Sequence, residues 1–193
     1  MKWMCRRVVA STAAMLFTFA TTAVHADVVN GGFETGTFAG WTQTGDTGFS
    51  GVDPFSARTG SYGAFFGPEL VGGISQSFAT AASTVYRVSF SLALADSAQP
   101  NSFSWSWNGV TQAPTFSNAA AFGYTDFSSF VSATGATTTI AFNFANPQSF
   151  WSLDNVAVTV SAVPEMPINA LLGAGLLLIS ATAKRSAKRR TRA

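Results

Sequence analysis

Eight carboxylates are the main chemical resource between Asp27 and Pro164: Asp27, Glu34, Asp46, Asp53, Glu69, Asp96, Asp126 and Asp154. The same stretch contains no Cys, no His and no Lys. A serine nucleophile there has no usual base, and thiol and Schiff-base chemistry are excluded. Transition metals lack their common ligands. Two carboxylates alone can hydrolyse a glycosidic bond, but these are scattered through turn-like sequence and no spacing pairs two of them. The expectation is a non-catalytic protein. The other residues suited to ligand contact are aromatic. Trp41, Trp105, Trp107 and Trp151 offer faces on which sugar rings stack, Asn146 and Gln148 stand near Trp151 as amide partners, and Tyr62 or Tyr124 can assist. Trp105 and Trp107 share the parity of Phe103 and read as core. Trp151, two residues after Ser149 and following a Pro turn, is the least constrained.

Charge is segregated along the chain. The formal net charge is +2, yet Lys2, Arg6 and Arg7 lie at one end and Lys184, Arg185, Lys188, Arg189, Arg190 and Arg192 at the other. Between Asp27 and Pro164 only Arg58 and Arg87 oppose the eight carboxylates, a net of −6. A nucleic-acid partner, which requires a basic folded face, is excluded.

The basic start, the apolar stretch Val8–Ala20 and Val24-His25-Ala26 have the form of a secretory signal. Residues 1–26 read as that signal helix, with cleavage between Ala26 and Asp27. The only Cys and the only His of the chain, Cys5 and His25, leave with it. The remaining body can form no disulfide.

The elements that must position these residues are strands. In VYRVSFSLAL, Tyr86, Val88, Phe90, Leu92 and Leu94 alternate with Arg87, Ser89, Ser91 and Ala93. NSFSWSWNG alternates Phe103, Trp105 and Trp107 with serines and ends on the hairpin signal Asn108-Gly109. TTTIAFNFANP sets Thr138, Ile140, Phe142 and Phe144 on one face and stops at Asn146-Pro147. In WSLDNVAVTV, Trp151 and Leu153 share a face while Val156, Val158 and Val160 fall on the opposite parity. Either both faces of that strand are buried, or a bulge at Asp154-Asn155 shifts its register. The body, residues 27–161, is therefore expected to be all-β: a jelly-roll-like two-sheet sandwich with hydroxyl-rich outer faces.

The C-terminus continues with a Pro-Glu step and linker over 162–167, an apolar segment over 168–183 and a basic tail over 184–193. From Met166 to Ala183 there are 18 uncharged residues, which as a helix span about 27 Å, near the lower limit for a bilayer core. The basic tail and the basic N-terminus both favour an inside position, so the acidic body faces out. Two alternatives stand: a retained single-span anchor in the inner membrane, or a signal that is read and removed.

Two resemblances follow from these residues. NGGFETGTFAGW (Asn30–Trp41) is similar to the opening of carbohydrate-binding-module-like jelly rolls. SYGAFFGPELVGGISQSFAT, VYRVSFSLA, NSFSWSWNG and FWSLDNVAVT resemble the body of PEP-CTERM proteins of Gram-negative bacteria, and the tail resembles the PEP-CTERM sorting signal. That resemblance implies a processing motif at Val163, Pro164, Glu165, Met166 and Pro167, although the usual Pro-Glu-Pro is here Pro164-Glu165-Met166-Pro167 with the second proline displaced. It also implies an exosortase-type partner and release to the cell surface or an exopolysaccharide matrix. The jelly-roll resemblance implies a structural calcium held through Glu34 and Asp154; the alternative is that Asp154 accepts bonds from nearby backbone and Glu34 is a solvated strand end.

Overall fold

The structure is a computed structural model, and it describes residues 27–161. The expected signal, processing motif, membrane segment and basic tail lie outside the described residues. Among the described residues no helix is long and apolar enough to cross a membrane.

Among the described residues ten strands form: β1 Thr42–Gly45, β2 Ser50–Asp53, β3 Gly63–Phe66, β4 Gly72–Ala79, β5 Val85–Leu94, β6 Ser102–Trp107, β7 Val110–Ser117, β8 Phe122–Ser132, β9 Thr137–Ala145 and β10 Trp151–Val160. They divide into two antiparallel five-stranded sheets. Sheet A has the order β1-β4-β9-β6-β7 and sheet B the order β2-β3-β10-β5-β8. The expected sandwich is thus the observed one.

Alternating apolar residues fill the space between the sheets, because each strand has one face that must leave water. Tyr86, Val88, Phe90, Leu92 and Leu94 of β5 are all buried, as are Phe103, Trp105 and Trp107 of β6 and Ile140, Phe142 and Phe144 of β9. Rings interlock across the gap: Phe66 of sheet B stacks on Phe144 of sheet A at 4.0 Å with planes 4° apart. Phe90 of sheet B meets Phe142 of sheet A edge-on at 5.3 Å. Burying each such side chain stabilises the fold by about 1.5–3 kcal/mol. Asn108 and Gly109 turn the β6–β7 hairpin with φ of 51° and 80°, the left-handed pair that a two-residue hairpin requires.

The parity conflict in β10 is resolved by a bulge. Its register with β5 runs Leu153 to Leu92 and Asp154 to Ser91, then resumes with Ala157 opposite Ser89. Asn155, at φ 55°, is the residue that absorbs the irregularity. Trp151 and Leu153 before the bulge, and Val156 and Val158 after it, are all buried. The Gly31 carbonyl accepts the Val156 N–H at 2.9 Å, so the chain start is fastened to the strand at the bulge.

Candidate functional site

Sheet B carries on its outer face a loop, residues 54–62, that crosses from β2 to β3. Its first turn, Pro54–Ser56, is a short 3-10 turn with Asp53 as N-cap, whose Oδ1 accepts the Ser56 N–H at 2.8 Å. Proline at the start and a carboxylate cap are the residues that such a turn favours. The Tyr124 hydroxyl of β8 donates to the Ser56 carbonyl. A turn held from both sides therefore presents Phe55, whose side chain is 97% exposed. Arg58 follows, its guanidinium 5.9 Å above the Tyr124 ring and 3.8 Å from Asp126 Oδ2. Asp126 Oδ1 in turn accepts the Ser91 hydroxyl at 2.6 Å.

Beside Tyr124 the face opens into a groove of about 400 Å³. Its floor is made of small residues, Ala93 and Ser152, and its wall of Phe122, Gly123 and Tyr124. Neighbouring Ser152 across the sheet is Phe65 of β3. Its ring leans over Gly51, where a Cβ would meet it at 2.7 Å. A floor of small residues bordered by aromatic rings is a surface on which a flat, polyhydroxylated ring can lie. Burial, first of all, and the negative charge of Asp154 push the Tyr124 hydroxyl well above the usual phenol range, so it remains a neutral donor.

Two carboxylates fasten the second half of the loop. Asp154, with no exposed surface, accepts the Arg58 N–H at 2.8 Å and the Thr59 N–H at 3.1 Å on Oδ2, and the Asn155 N–H at 2.6 Å on Oδ1. Glu34 accepts the Ser61 N–H on both oxygens, at 3.1 and 2.9 Å, and the Tyr62 N–H at 3.3 Å. A Cβ at Gly60, whose φ is +70°, would stand 2.2 Å from Glu34 Oε1, so the loop can approach the carboxylate only through glycine. The two acids flank Gly32: a Cβ there would lie 3.8 Å from both Asp154 Oδ1 and Glu34 Cγ. Burial, the dominant cause, and the charge of Glu34 raise the Asp154 carboxyl above its ordinary value against the opposing backbone bonds.

The donor set of Glu34 and Asp154 is of the kind that a hard cation takes. It supplies only oxygens, and each carboxylate, with about four lone-pair positions, retains at least one beyond its N–H bonds. Among the described residues no three His, Cys, Asp or Glu gather, so backbone carbonyls or waters would complete a calcium shell of 6–8 oxygens. Of the two expected readings, the bonds Asp154 makes are those of the alternative, backbone N–H groups, whereas Glu34, there expected as a solvated strand end, joins it in holding one loop.

The expected tryptophan contacts are corrected by burial. Trp151 has no exposed surface and packs on Phe103, Phe116 and Phe122, because its position on β10 lies on the inward parity. Trp41 is 7% exposed, stacked on Phe33 with its Nε1 donating to the Asn30 carbonyl at 3.2 Å. Neither offers a face to a sugar. Asn146 is fully buried, and Gln148 is exposed but its amide donates to the Gln99 carbonyl at 2.6 Å. Of the aromatic assistants, Tyr124 lines the groove, whereas Tyr62 packs over Gly36. Phe55 was not singled out by sequence. The signal for it was Asp53-Pro54-Phe55, a capped turn that leaves its third residue facing water.

No protein-family model matches the chain, and no curated protein matches it. Solved structures do. TmCBM61 in complex with beta-1,4-galactotriose is 18% identical, with a TM-score of 0.57 over 68% of this chain and 96% of that one. The CBM22-1 xylan-binding domain from Paenibacillus barcinonensis Xyn10C is 19% identical, with a TM-score of 0.52 over 74% and 99%. The enzymatically active domain of bacteriophage CBA120 tailspike protein 4 is 11% identical, with a TM-score of 0.55 over 70% of this chain and 21% of that one. These likenesses show the fold alone, and the residues of a site decide what it does. What residues 27–161 share with these proteins is the two-sheet jelly-roll sandwich of carbohydrate-binding modules.

Proposed function

We propose that the sandwich is a non-catalytic glycan-binding module, with the groove on the outer face of sheet B as its sugar site. The observation that carries this reading is the capped turn, bonded through the Ser56 carbonyl to Tyr124 at the groove, that holds Phe55 almost wholly in water. A large apolar ring kept exposed on a braced turn forgoes burial worth about 1.5–3 kcal/mol, and contact with a ligand would recover part of it. Tyr124 supplies further ring surface, and the Ser152 hydroxyl a polar contact. Hydrolysis is disfavoured by the same geometry: the two carboxylates that converge are turned to backbone amides, and Asp154 is sealed from solvent.

The likeness to modules solved with galactotriose or named for xylan binding supports sugar as the ligand class. A calcium ion between Glu34 and Asp154 would neutralise two adjacent carboxylates and stiffen the loop that carries Phe55. The acidic body, the bracketing basic ends and the Val163–Pro167 motif support export through a signal ending at Ala26. They equally support sorting by an exosortase-type enzyme to the cell surface or exopolysaccharide matrix.

The test is isothermal titration of the full chain with beta-1,4-galactotriose, xylohexaose and soluble exopolysaccharide from the host. Phe55→Ala should weaken whichever ligand binds about tenfold and leave the melting temperature unchanged. Saturable binding that is indifferent to Phe55→Ala and Tyr124→Ala sinks the assignment of this groove. Mass spectrometry of the mature protein from its host tests the ends: a terminus near Pro164 supports sorting and removal, and an intact Ala193 refutes it.

A further inference from the structure

Sheets expose unpaired backbone at their edges, and folded proteins blunt those edges with short strands, prolines or bulges. Three of the four edges here are blunted. Edge strands β1 and β2 are four residues long. Edge strand β7 contains Pro114 and a register break between the pairs Phe103–Phe116 and Trp105–Gln112. The fourth, β8, is eleven residues long, pairs among the described residues only with β5, and has neither proline nor lysine. Its one irregularity lies at its start, opposite Ala93, and leaves Thr125–Ser132 in regular register. Its outer face carries Phe130, 67% exposed.

We infer that β8 is a dimerisation edge, and that its occupant is β8 of a second copy, joined antiparallel so that the two B sheets become one ten-stranded sheet. For the inner faces of both copies to stay on one side, residues of like parity must be opposed. Among such registers, the one centred on Phe127 complements itself. It sets Phe127 against Phe127 of the other copy, Thr125 against Ser129, and Asp126 against Ser128. Within the regular stretch each outward pair is then a carboxylate facing a hydroxyl, a cross-strand combination that stabilises a ladder. Sliding the centre to Asp126 opposes two carboxylates. Sliding it to Ser128 sets Asp126 against Phe130. Arg58, already beside Asp126, offsets the charge at the join.

Sedimentation velocity of the full chain in detergent, over micromolar to hundred-micromolar concentrations, tests this with two substitutions at the exposed Ser128. Ser128→Asp opposes Asp126 of the partner copy twice and should weaken the dimer about tenfold. Ser128→Lys creates two opposite-charge pairs and should leave it intact or tighten it. Near-UV circular dichroism should report an unchanged fold for both. A wild-type monomer at every concentration overturns the inference. So does a dimer that Ser128→Asp and Ser128→Lys affect alike, since association would then use another surface, such as the apolar C-terminal segment.

Discussion

Replacing Asp154 by alanine removes the acceptor of three backbone N–H groups at once, those of Arg58, Thr59 and Asn155. An N–H left buried without a partner costs about 1–3 kcal/mol. The Asn155 donor sits at the bulge, and those of Arg58 and Thr59 point from the loop onto the buried carboxylate, so water can reach only part of the set. The sum is about 4 kcal/mol, in the range for breaking a buried charged interaction. In a domain of this size about 3 °C accompanies each kcal/mol, so the variant should melt about 12 °C lower. Asp154→Asn, which keeps the shape and one acceptor, should lose about half as much. The pH dependence follows from the sign of the shift. The folded carboxyl is raised above its ordinary value of 3.8, so the folded state binds the proton more tightly. The contribution of this group is therefore fullest below 3.8 and declines as pH rises through the raised folded value. In EDTA the gap between wild type and Asp154→Asn should narrow across that window. Calcium, binding the ionised folded form, should reverse this by adding stability at neutral pH. Differential scanning calorimetry in EDTA and in millimolar calcium reads all three effects. An alanine variant within about 3 °C of wild type in EDTA would refute the role of Asp154 as the fastener of the loop. Equal melting temperatures with and without calcium would end the cation reading.

Two more predictions concern the far end of the sandwich. Asp46 accepts the Leu70 N–H at 3.0 Å and the Gly48 N–H at 2.9 Å, and these bonds hold its carboxyl below the ordinary value. Its contribution is thus present above pH 3.8 and is lost as pH falls through the lowered folded value. The stability difference between wild type and Asp46→Asn, from urea melts between pH 2 and 6, should shrink toward the acid end; a difference that is flat or grows refutes the assignment. Both side-chain atoms of Asn146 are buried without a partner among the described residues. Asn146→Leu, of similar volume, should raise stability by about 1–2 kcal/mol, and a lowered thermal midpoint would point instead to a buried water on that amide.

The sequence by itself determined the sandwich, because a strand's side-chain period is local: Tyr86 to Leu94 and Thr138 to Phe144 announce their buried faces in their own order. It also marked the break in β10, since Leu153 and Val156 cannot share a parity without an extra residue. A choice between a bulge and a doubly buried strand needed the pairing with β5, where Ala157 meets Ser89. The candidate site was hidden for a different reason. Asp154 and Arg58 are 96 positions apart, and nothing in local pattern says that a loop after β2 folds over the outer face of sheet B. Exposure is likewise a property of neighbours. Trp151 looked free in sequence and is sealed by rings from three other strands, whereas Phe55, one of many phenylalanines, is held in water by a cap and a tyrosine that only the tertiary fold supplies.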